Sequence, residues 1–175
     1  ADNIKLAKTL FPINETTGTL FGQYSVADPN TAGFSIWYAA CLDDGTTNNI
    51  IGLYRYQSSF GAAIVTTGVT QFDAARVVAT PTAVHKNAIA YTTNDAIQCV
   101  DGTLSPQDTS VTVPTITQLS LSRANNNQVG KYIQKISYKK NVHGTNPEKD
   151  NEWFRSIVVR MGSEKNQISD DITMN

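Results

Sequence analysis

Pairs of acidic side chains are the feature that would give this chain of 175 residues a hydrolytic chemistry. Cleavage of a glycosidic bond needs two carboxyl groups that face each other across that bond. The chain has only four glutamates, at positions 15, 148, 152 and 164, and Asp43 and Asp44 are adjacent. On a strand, adjacent residues point to opposite faces, so this aspartate pair cannot flank one bond. We therefore predict no catalytic residue and expect the chain not to be an enzyme.

The two histidines, His85 and His143, are the remaining candidates for a general base. Neither lies near a nucleophile in a pattern such as Gly-x-Ser-x-Gly. One leads a predicted strand and the other lies in a polar segment, so both are expected to be ordinary surface residues. The sequence gives no support to acid–base catalysis by either of them.

Oxygen-bearing side chains collect in one polar break and on one further turn, at Asp43, Asp44, Asn48, Asn49 and Asp101. Carboxylate and amide oxygens are the ligands that Ca²⁺ prefers. Their spacing is not that of an EF-hand loop, and Asp and Asn are also the usual residues of turns. Turn formation is the favoured interpretation, with a calcium site as the alternative, and no cofactor is expected.

Sugar binding requires flat aromatic faces for the apolar side of a pyranose, with polar groups around them for its hydroxyls. Trp37 lies in a strongly apolar run and is predicted to belong to the core. The best candidates for exposed sugar contacts are Tyr54, Arg55, Tyr56 and Trp153.

A basic strip suggests a second kind of ligand. Its lysines, interleaved with Tyr132 and Tyr138, are Lys131, Lys135, Lys139 and Lys140. Such a strip would suit an acidic polysaccharide or a phosphate-bearing lipopolysaccharide. The favoured alternative is the solvated face of an amphipathic strand, because the net charge of the chain is only −1.

The elements that must position these residues are organised around a predicted hairpin. Residues 34–42 form an apolar run, 43–49 a polar break, and 50–56 a second run rich in branched and aromatic residues. This pattern is typical of two strands joined by a longer loop. The first strand is apolar on both faces and is expected to be central. The second, with Arg55 between two tyrosines, is expected to lie nearer solvent.

Similar strand signals recur every 8 to 12 residues along the chain, separated by turn residues, and no helical pattern of 12 residues occurs. The predicted class is therefore all-β, with an antiparallel two-sheet β-sandwich. A change of phase between Ile133 and Ile136 predicts a β-bulge near Gln134 and Lys135. We divide the chain into an N-terminal arm or linker (1–17), the sandwich (18–140) and a C-terminal extension (141–175). The apolar run 153–161 must pack on the sandwich or on a neighbouring subunit.

Charge and hydropathy exclude several classes of partner. Only 17% of the residues are charged, so there is no basic footprint for nucleic acid. No apolar run reaches the roughly 20 residues that span a bilayer, so membrane insertion is not expected. Cys41 and Cys99 both lie in strand-like runs and are predicted to be buried free thiols. A disulfide between them is the alternative.

Several segments, in this order, resemble the concanavalin-like (laminin-G-like) modules of bacteriophage tailspike and tail-fibre proteins. They are Thr19-Leu20-Phe21, Phe34-Ser35-Ile36, Asp44-Gly45-Thr46, Lys86-Asn87-Ala88-Ile89-Ala90-Tyr91 and Leu119-Ser120-Leu121-Ser122-Arg123. The resemblance covers about residues 18–140. After Tyr138 the chain departs from it, with Lys139-Lys140-Asn141-Val142 and a further extension.

The resemblance implies a two-sheet jelly roll on a virion tailspike or tail fibre, in a homotrimer. It implies a lectin-like, non-enzymatic module that recognises the host by binding a surface polysaccharide or lipopolysaccharide. An alternative is a trimerisation or assembly module without a glycan ligand. A glycan-modifying enzyme is the third possibility, although hydrolases of related fold share a Glu-x-Asp-x-x-Glu motif that this chain lacks.

Overall fold

A computed structural model describes residues 4–10, 13–25, 36–124, 132–139 and 155–157. Within these ranges all the regular structure is β-strand, and there is no helix that could cross a membrane. The strands are β1 (Ile4–Ala7), β2 (Thr17–Ser25), β3 (Trp37–Asp43), β4 (Ile50–Tyr56), β5 (Ser59–Thr66), β6 (Val69–Val77), β7 (His85–Thr92), β8 (Asp95–Val100), β9 (Thr103–Leu104), β10 (Gln118–Ala124), β11 (Tyr132–Lys139) and β12 (Arg155–Ile157).

The strands form two six-stranded sheets packed face to face. Sheet A has the order β1-β10-β3-β4-β5-β6, and sheet B has the order β12-β11-β2-β7-β8-β9. Every paired strand within them is antiparallel. The predicted all-β class and two-sheet sandwich are confirmed.

The predicted hairpin is the centre of sheet A. Strand β3 is buried along its whole length, as its two apolar faces predict. Strand β4 was expected nearer solvent, and this is wrong, because six of its seven residues are buried. The reason is that β4 lies between β3 and β5. On its outer face tyrosine rings cover the strand, and on its inner face Arg55 lies against the other sheet.

The two ends of the chain contribute strands to the sandwich edges. Residues Ile4–Ala7 pair with β10, and residues Arg155–Ile157 pair with β11. The predicted bulge in β11 is confirmed, since the pairing register with β2 shifts between Ile133 and Lys135. The bulge keeps Ile136 directed into the core, where it is buried.

Apolar side chains from the facing sides of the two sheets fill the space between them. Alternation is clearest in β2, β7 and β8, where every second residue is buried. The largest fully buried side chains of this core are Tyr24, Phe60, Leu20, Leu42, Ile51, Leu53, Ile64, Ile89, Ile116, Leu119 and Leu121. Trp37 also belongs to the core, as its apolar surroundings predict.

A polar network crosses this apolar core near one end of the sandwich. Asn87 of sheet B donates to the Tyr24 hydroxyl (2.9 Å) and to the Gly61 carbonyl of sheet A (2.8 Å). Its own side-chain oxygen accepts from the Gln98 amide at 3.0 Å, and Gln98 also donates to the Phe60 carbonyl at 3.2 Å. The network therefore links β7 and β8 of sheet B to β5 of sheet A and fixes how the two sheets are aligned at this point.

The two cysteines are free thiols, as predicted, and they lie on different sheets, but only Cys41 is buried, whereas the prediction had both buried. Cys41 belongs to an apolar cluster on the side of sheet A that faces away from sheet B. Cys99 is half-buried, and its neighbours Gln98 and Val100 are buried and point into the core, so Cys99 points outward. The sulfurs thus lie on opposite outer sides of the sandwich, which rules out the disulfide.

Candidate functional site

Three tyrosines lie on the outer face of sheet A, the side turned away from sheet B. Tyr54 and Tyr56 reach this face by simple alternation along β4. Tyr38 reaches it because the pairing of β3 with β4 shifts by one residue between Tyr38 and Ala40. Tyr38 and Tyr54 are direct cross-strand partners, with ring centroids 5.9 Å apart in an edge-to-face arrangement.

The rings of Tyr38 and Tyr54 lie flat across the next strand because that strand presents a glycine. A Cβ atom on Gly52 would be 2.5 Å from Tyr38, and one on Gly61 would be 2.1 Å from Tyr54. Contacts this short do not occur between real Cβ atoms and neighbouring carbons. The two glycines are therefore required at these positions, because only residues without a side chain let the two rings lie against β4 and β5.

The Tyr54 hydroxyl ends at the edge strand, where it donates to Asp73 of β6 at 2.5 Å. Burial raises the pKa of this hydroxyl, and the hydrogen bond and negative charge of Asp73 raise it further. Tyr54 therefore remains protonated and remains the donor at every physiological pH. Asp73 itself is exposed, so the bond fixes a carboxylate in position at the surface.

The open part of this face lies beside the buried rings. Four of the residues on it are called the outer patch: Tyr56, Ser59, Asp73 and Ala75. Tyr56 and Ser59 are paired across β4 and β5 and are half-buried, whereas Asp73 and Ala75 on β6 are exposed. The outer patch thus combines part of an aromatic ring, a hydroxyl, a small apolar side chain and a carboxylate.

The sugar contacts predicted from the sequence are distributed differently. Tyr54 and Arg55 were expected to be exposed, and this is wrong, since they are only 5% and 6% exposed. Tyr54 packs flat against Gly61 on the outer face of sheet A. Arg55 alternates to the inner face, where its positive charge partly offsets the rise in the pKa of the Tyr24 hydroxyl that burial causes. Tyr56 is the one member of the three on β4 that is half-exposed. Trp153 lies outside the described residues.

Asp73 and Ser59 were missed by sequence reasoning. Alternation along β6 could have identified Asp73. Phe72 is apolar and buried, so the next residue along the strand must point to the outer face. The distance of 19 positions between Asp73 and Tyr54 hides the hydrogen bond, because only the sheet order β4-β5-β6 brings the two together.

A second polar site lies at the end of the sandwich where β7 begins. His85 was expected at the surface, and this is wrong: it is buried and its ring contacts Phe60. Its Nδ1 is 2.6 Å from the Asp101 carboxylate, and its Nε2 is 2.9 Å from the Thr80 carbonyl. Both ring nitrogens are occupied by these partners, so His85 joins the segment before β7 to the turn after β8. His143 lies outside the described residues.

Asp101 is held mainly through this contact. Burial by itself would raise the pKa of its carboxyl, but hydrogen bonds from His85 and from the Lys86 backbone N–H outweigh burial. The net result is a pKa below the ordinary value. Asp101 and Gly102 also both have positive φ, as a tight two-residue hairpin turn requires.

We expect the lowered pKa of Asp101 to make the protein acid-sensitive. The stabilisation is fully present above the unfolded-state pKa of about 3.9 and is lost as the pH falls through the lower folded-state value. Asp101→Asn should lower the urea midpoint at pH 7 and flatten its decline below about pH 4. Asp95→Asn, which removes a carboxylate bonded to the exposed Gln107, is the matched control. Equal acid profiles for wild type and Asp101→Asn would contradict the prediction.

The residues considered for calcium form turn hydrogen bonds instead. Asp43 accepts from the Gly45 N–H and the Gln118 amide, both at 2.7 Å. Asp44 accepts from Thr46 and Asn49, and these hydrogen bonds, that of the Thr46 hydroxyl above all, lower the pKa of its carboxyl. Asp101 lies at the opposite end of the sandwich, after β8. In the described part of the chain no three His, Cys, Asp or Glu side chains cluster as metal ligands would.

The basic strip lies on the other sheet. Lys135 and Lys139 belong to β11 of sheet B, where they pair with Gln23 and Thr19 of β2. Lys131 and Lys140 lie outside the described residues. The strip and the outer patch are therefore on different sheets.

No protein-family model matches the sequence, and no curated protein matches it. Solved structures share its fold. CBM40 of Ruminococcus gnavus IT-sialidase, bound to α2,3-sialyllactose, superposes with a TM-score of 0.57 at 14% identity, over 74% of this chain and 78% of CBM40. The binding domain of botulinum neurotoxin serotype D/C gives 0.58 at 6% identity, over 78% and 37% of the two chains. Domains LG4-5 of the mouse laminin α1 chain give 0.51 at 14% identity, over 78% and 38%. At these identities the likeness establishes the laminin-G-like β-sandwich fold.

Proposed function

We propose that this chain is a non-enzymatic, glycan-binding β-sandwich module. The observation that carries the proposal is the outer patch, where the half-buried Tyr56 lies on the same face as a hydroxyl and a fixed carboxylate. An aromatic ring packs against the apolar face of one pyranose of a glycan chain, and a hydroxyl and a carboxylate bind sugar hydroxyls further along the same chain. The fold shared with a carbohydrate-bound CBM40 supports the same function.

The biological setting is proposed from the sequence resemblance. The proposed setting is a virion tailspike or tail fibre, in a homotrimer, with a host-surface polysaccharide or lipopolysaccharide as ligand. In this setting the outer patch would contact the host. The non-enzymatic reading agrees with His85, whose ring nitrogens are both engaged within the fold.

A purely structural assembly role is the second candidate. The edge strand β6 carries Val69 and Val77, which are 58% and 70% exposed, and Leu104 on the facing edge of sheet B is 63% exposed. An exposed edge with apolar side chains is a template for pairing with another chain. If assembly is the role, Val69→Lys with Val77→Lys should dissociate the oligomer, and no glycan should be retained.

The test is a panel of immobilised host polysaccharides probed with the full chain, with the sugars analysed afterwards for cleavage. We expect saturable retention of one intact polysaccharide. Tyr56→Ala should weaken it roughly tenfold, the value of one aromatic contact with the sugar. Phe21→Ala, which removes a half-buried aromatic from sheet B, should leave retention unchanged. Cleavage would overturn the non-enzymatic proposal, and a stable oligomer without retention would favour assembly.

A further inference from the structure

The part of the outer face of sheet A that β3 to β6 form carries two acidic side chains but no basic ones among its described residues. Asp43 is buried and bonded within its own turn, which leaves Asp73 as the exposed charge. The arginines of these strands are on the other side: Arg55 faces the core, and Arg76 reaches across it to donate to the Val100 carbonyl at 2.8 Å.

Asp73 is also prepared to accept hydrogen bonds from a ligand. Its Oδ1 accepts from Tyr54, and nothing in the described part of the chain donates to its Oδ2. An ionised carboxylate only accepts, and its two oxygens can receive two donors side by side. Neighbouring hydroxyls of a sugar ring provide such a donor pair, whereas a sugar carboxylate provides only acceptors and a like charge.

We propose that the glycan bound at the outer patch is neutral, recognised through neighbouring sugar hydroxyls that donate to Asp73, and that glycans carrying carboxylates at this position are rejected. The inference rests on the proposed glycan-binding function and names the ligand class for the same site. Rejection follows from Coulomb repulsion at a partly desolvated contact, because the described side chains of β3 to β6 on this face include no Lys or Arg that would offset the charge of Asp73.

This specificity differs from that suggested by two other observations. The lysines of β11 would favour an acidic polysaccharide, but they belong to sheet B. The CBM40 of similar fold was solved with sialyllactose, an acidic sugar, but at 14% identity its ligand does not transfer to this chain. The ligand class at the outer patch is set by its own residues.

The test compares each host polysaccharide of the panel in its native form and after chemical reduction of its carboxyl groups to alcohols. We expect the retained polysaccharide to be neutral, or, where the native form is acidic, to be retained more strongly after reduction. Retention of an acidic polysaccharide that is lost on reduction, or that is lost in Lys135→Gln with Lys139→Gln, would overturn the inference and leave glycan binding intact. Retention of no polysaccharide in either form would overturn both proposals.

A variant locates the effect. Asp73→Asn keeps the size of the side chain and an oxygen that can accept from Tyr54, but it removes the charge. Retention of the neutral glycan should weaken about tenfold, as expected for loss of a charge-assisted hydrogen bond, and discrimination against acidic forms should fall. Asp95→Asn, on sheet B, should change neither. Unchanged affinity and discrimination in Asp73→Asn would overturn the assignment.

Discussion

Replacing Gly61 by alanine is expected to lower the free energy of unfolding by about 3 kcal/mol, the upper part of the range for overpacking. The added Cβ would be 2.1 Å from the ring of Tyr54, whose hydroxyl is anchored to Asp73. The ring cannot move aside without breaking that hydrogen bond and its contact with Tyr38. Urea unfolding of wild type and variant, followed by near-ultraviolet circular dichroism, measures the change.

Two further variants make this result specific. Gly22→Ala is the matched control, because its nearest contacts are side-chain carbons of Ile136, Leu53 and Tyr24 at 3.1 Å, and the two aliphatic ends can shift slightly. It should cost clearly less than Gly61→Ala. In a Tyr54→Ala background, Gly61→Ala should cost little, because the ring is gone. An equal cost in both backgrounds would show that ring contact is not the reason for the glycine.

Replacing Asn87 by alanine is expected to cost about 2–4 kcal/mol, because its side chain makes three buried hydrogen bonds that each contribute about 0.5–1.5 kcal/mol. The Gly61 carbonyl loses its side-chain donor, and the Gln98 amide loses its side-chain acceptor. The Tyr24 hydroxyl keeps its bond to the Tyr54 carbonyl at 3.2 Å, and burial raises the pKa of that hydroxyl, so it stays protonated. Thermal and urea unfolding provide the measurement.

The network argument predicts that the cost is not additive. In the Asn87→Leu background, Gln98→Leu should cost less than it does alone, because it removes a polar group that has already lost a partner. Gln107→Ala is the control, since its amide bonds to Asp95 at the surface and should change stability by less than about 0.5 kcal/mol. Additive costs for Asn87 and Gln98 would show that the two amides act independently.

The strand pattern was readable from local sequence because alternation and turn residues are local properties. The runs around 19–26, 50–56 and 84–91 became β2, β4 and β7 with small changes at their ends. The bulge in β11 was predictable because one extra residue changes the spacing of the buried side chains. The depth of β4 was not readable, because its burial depends on which strands lie beside it.

The candidate site followed the sequence less closely. Tyr56 was identified by its type, but Asp73 becomes meaningful only as the partner of Tyr54. His85 was judged by its local context, and that context does not include Asp101 or Phe60, which approach it through the pairing of β7 with β8 and the packing of the sheets. A hydrogen bond between distant positions leaves no local trace in a single sequence.

The sequence by itself determined that this protein is a β-sandwich, since its strand periods, turns and lack of helical patterns admit little else. It also determined which residue types are available for binding: tyrosines and aspartates, with few glutamates. Only the tertiary structure decided to which face of its sheet each side chain points. In a two-sheet sandwich, facing depends on strand order and on single-residue bulges such as that at Ala39. These are long-range properties, and they buried Tyr54 and Arg55 while leaving Asp73 at the surface.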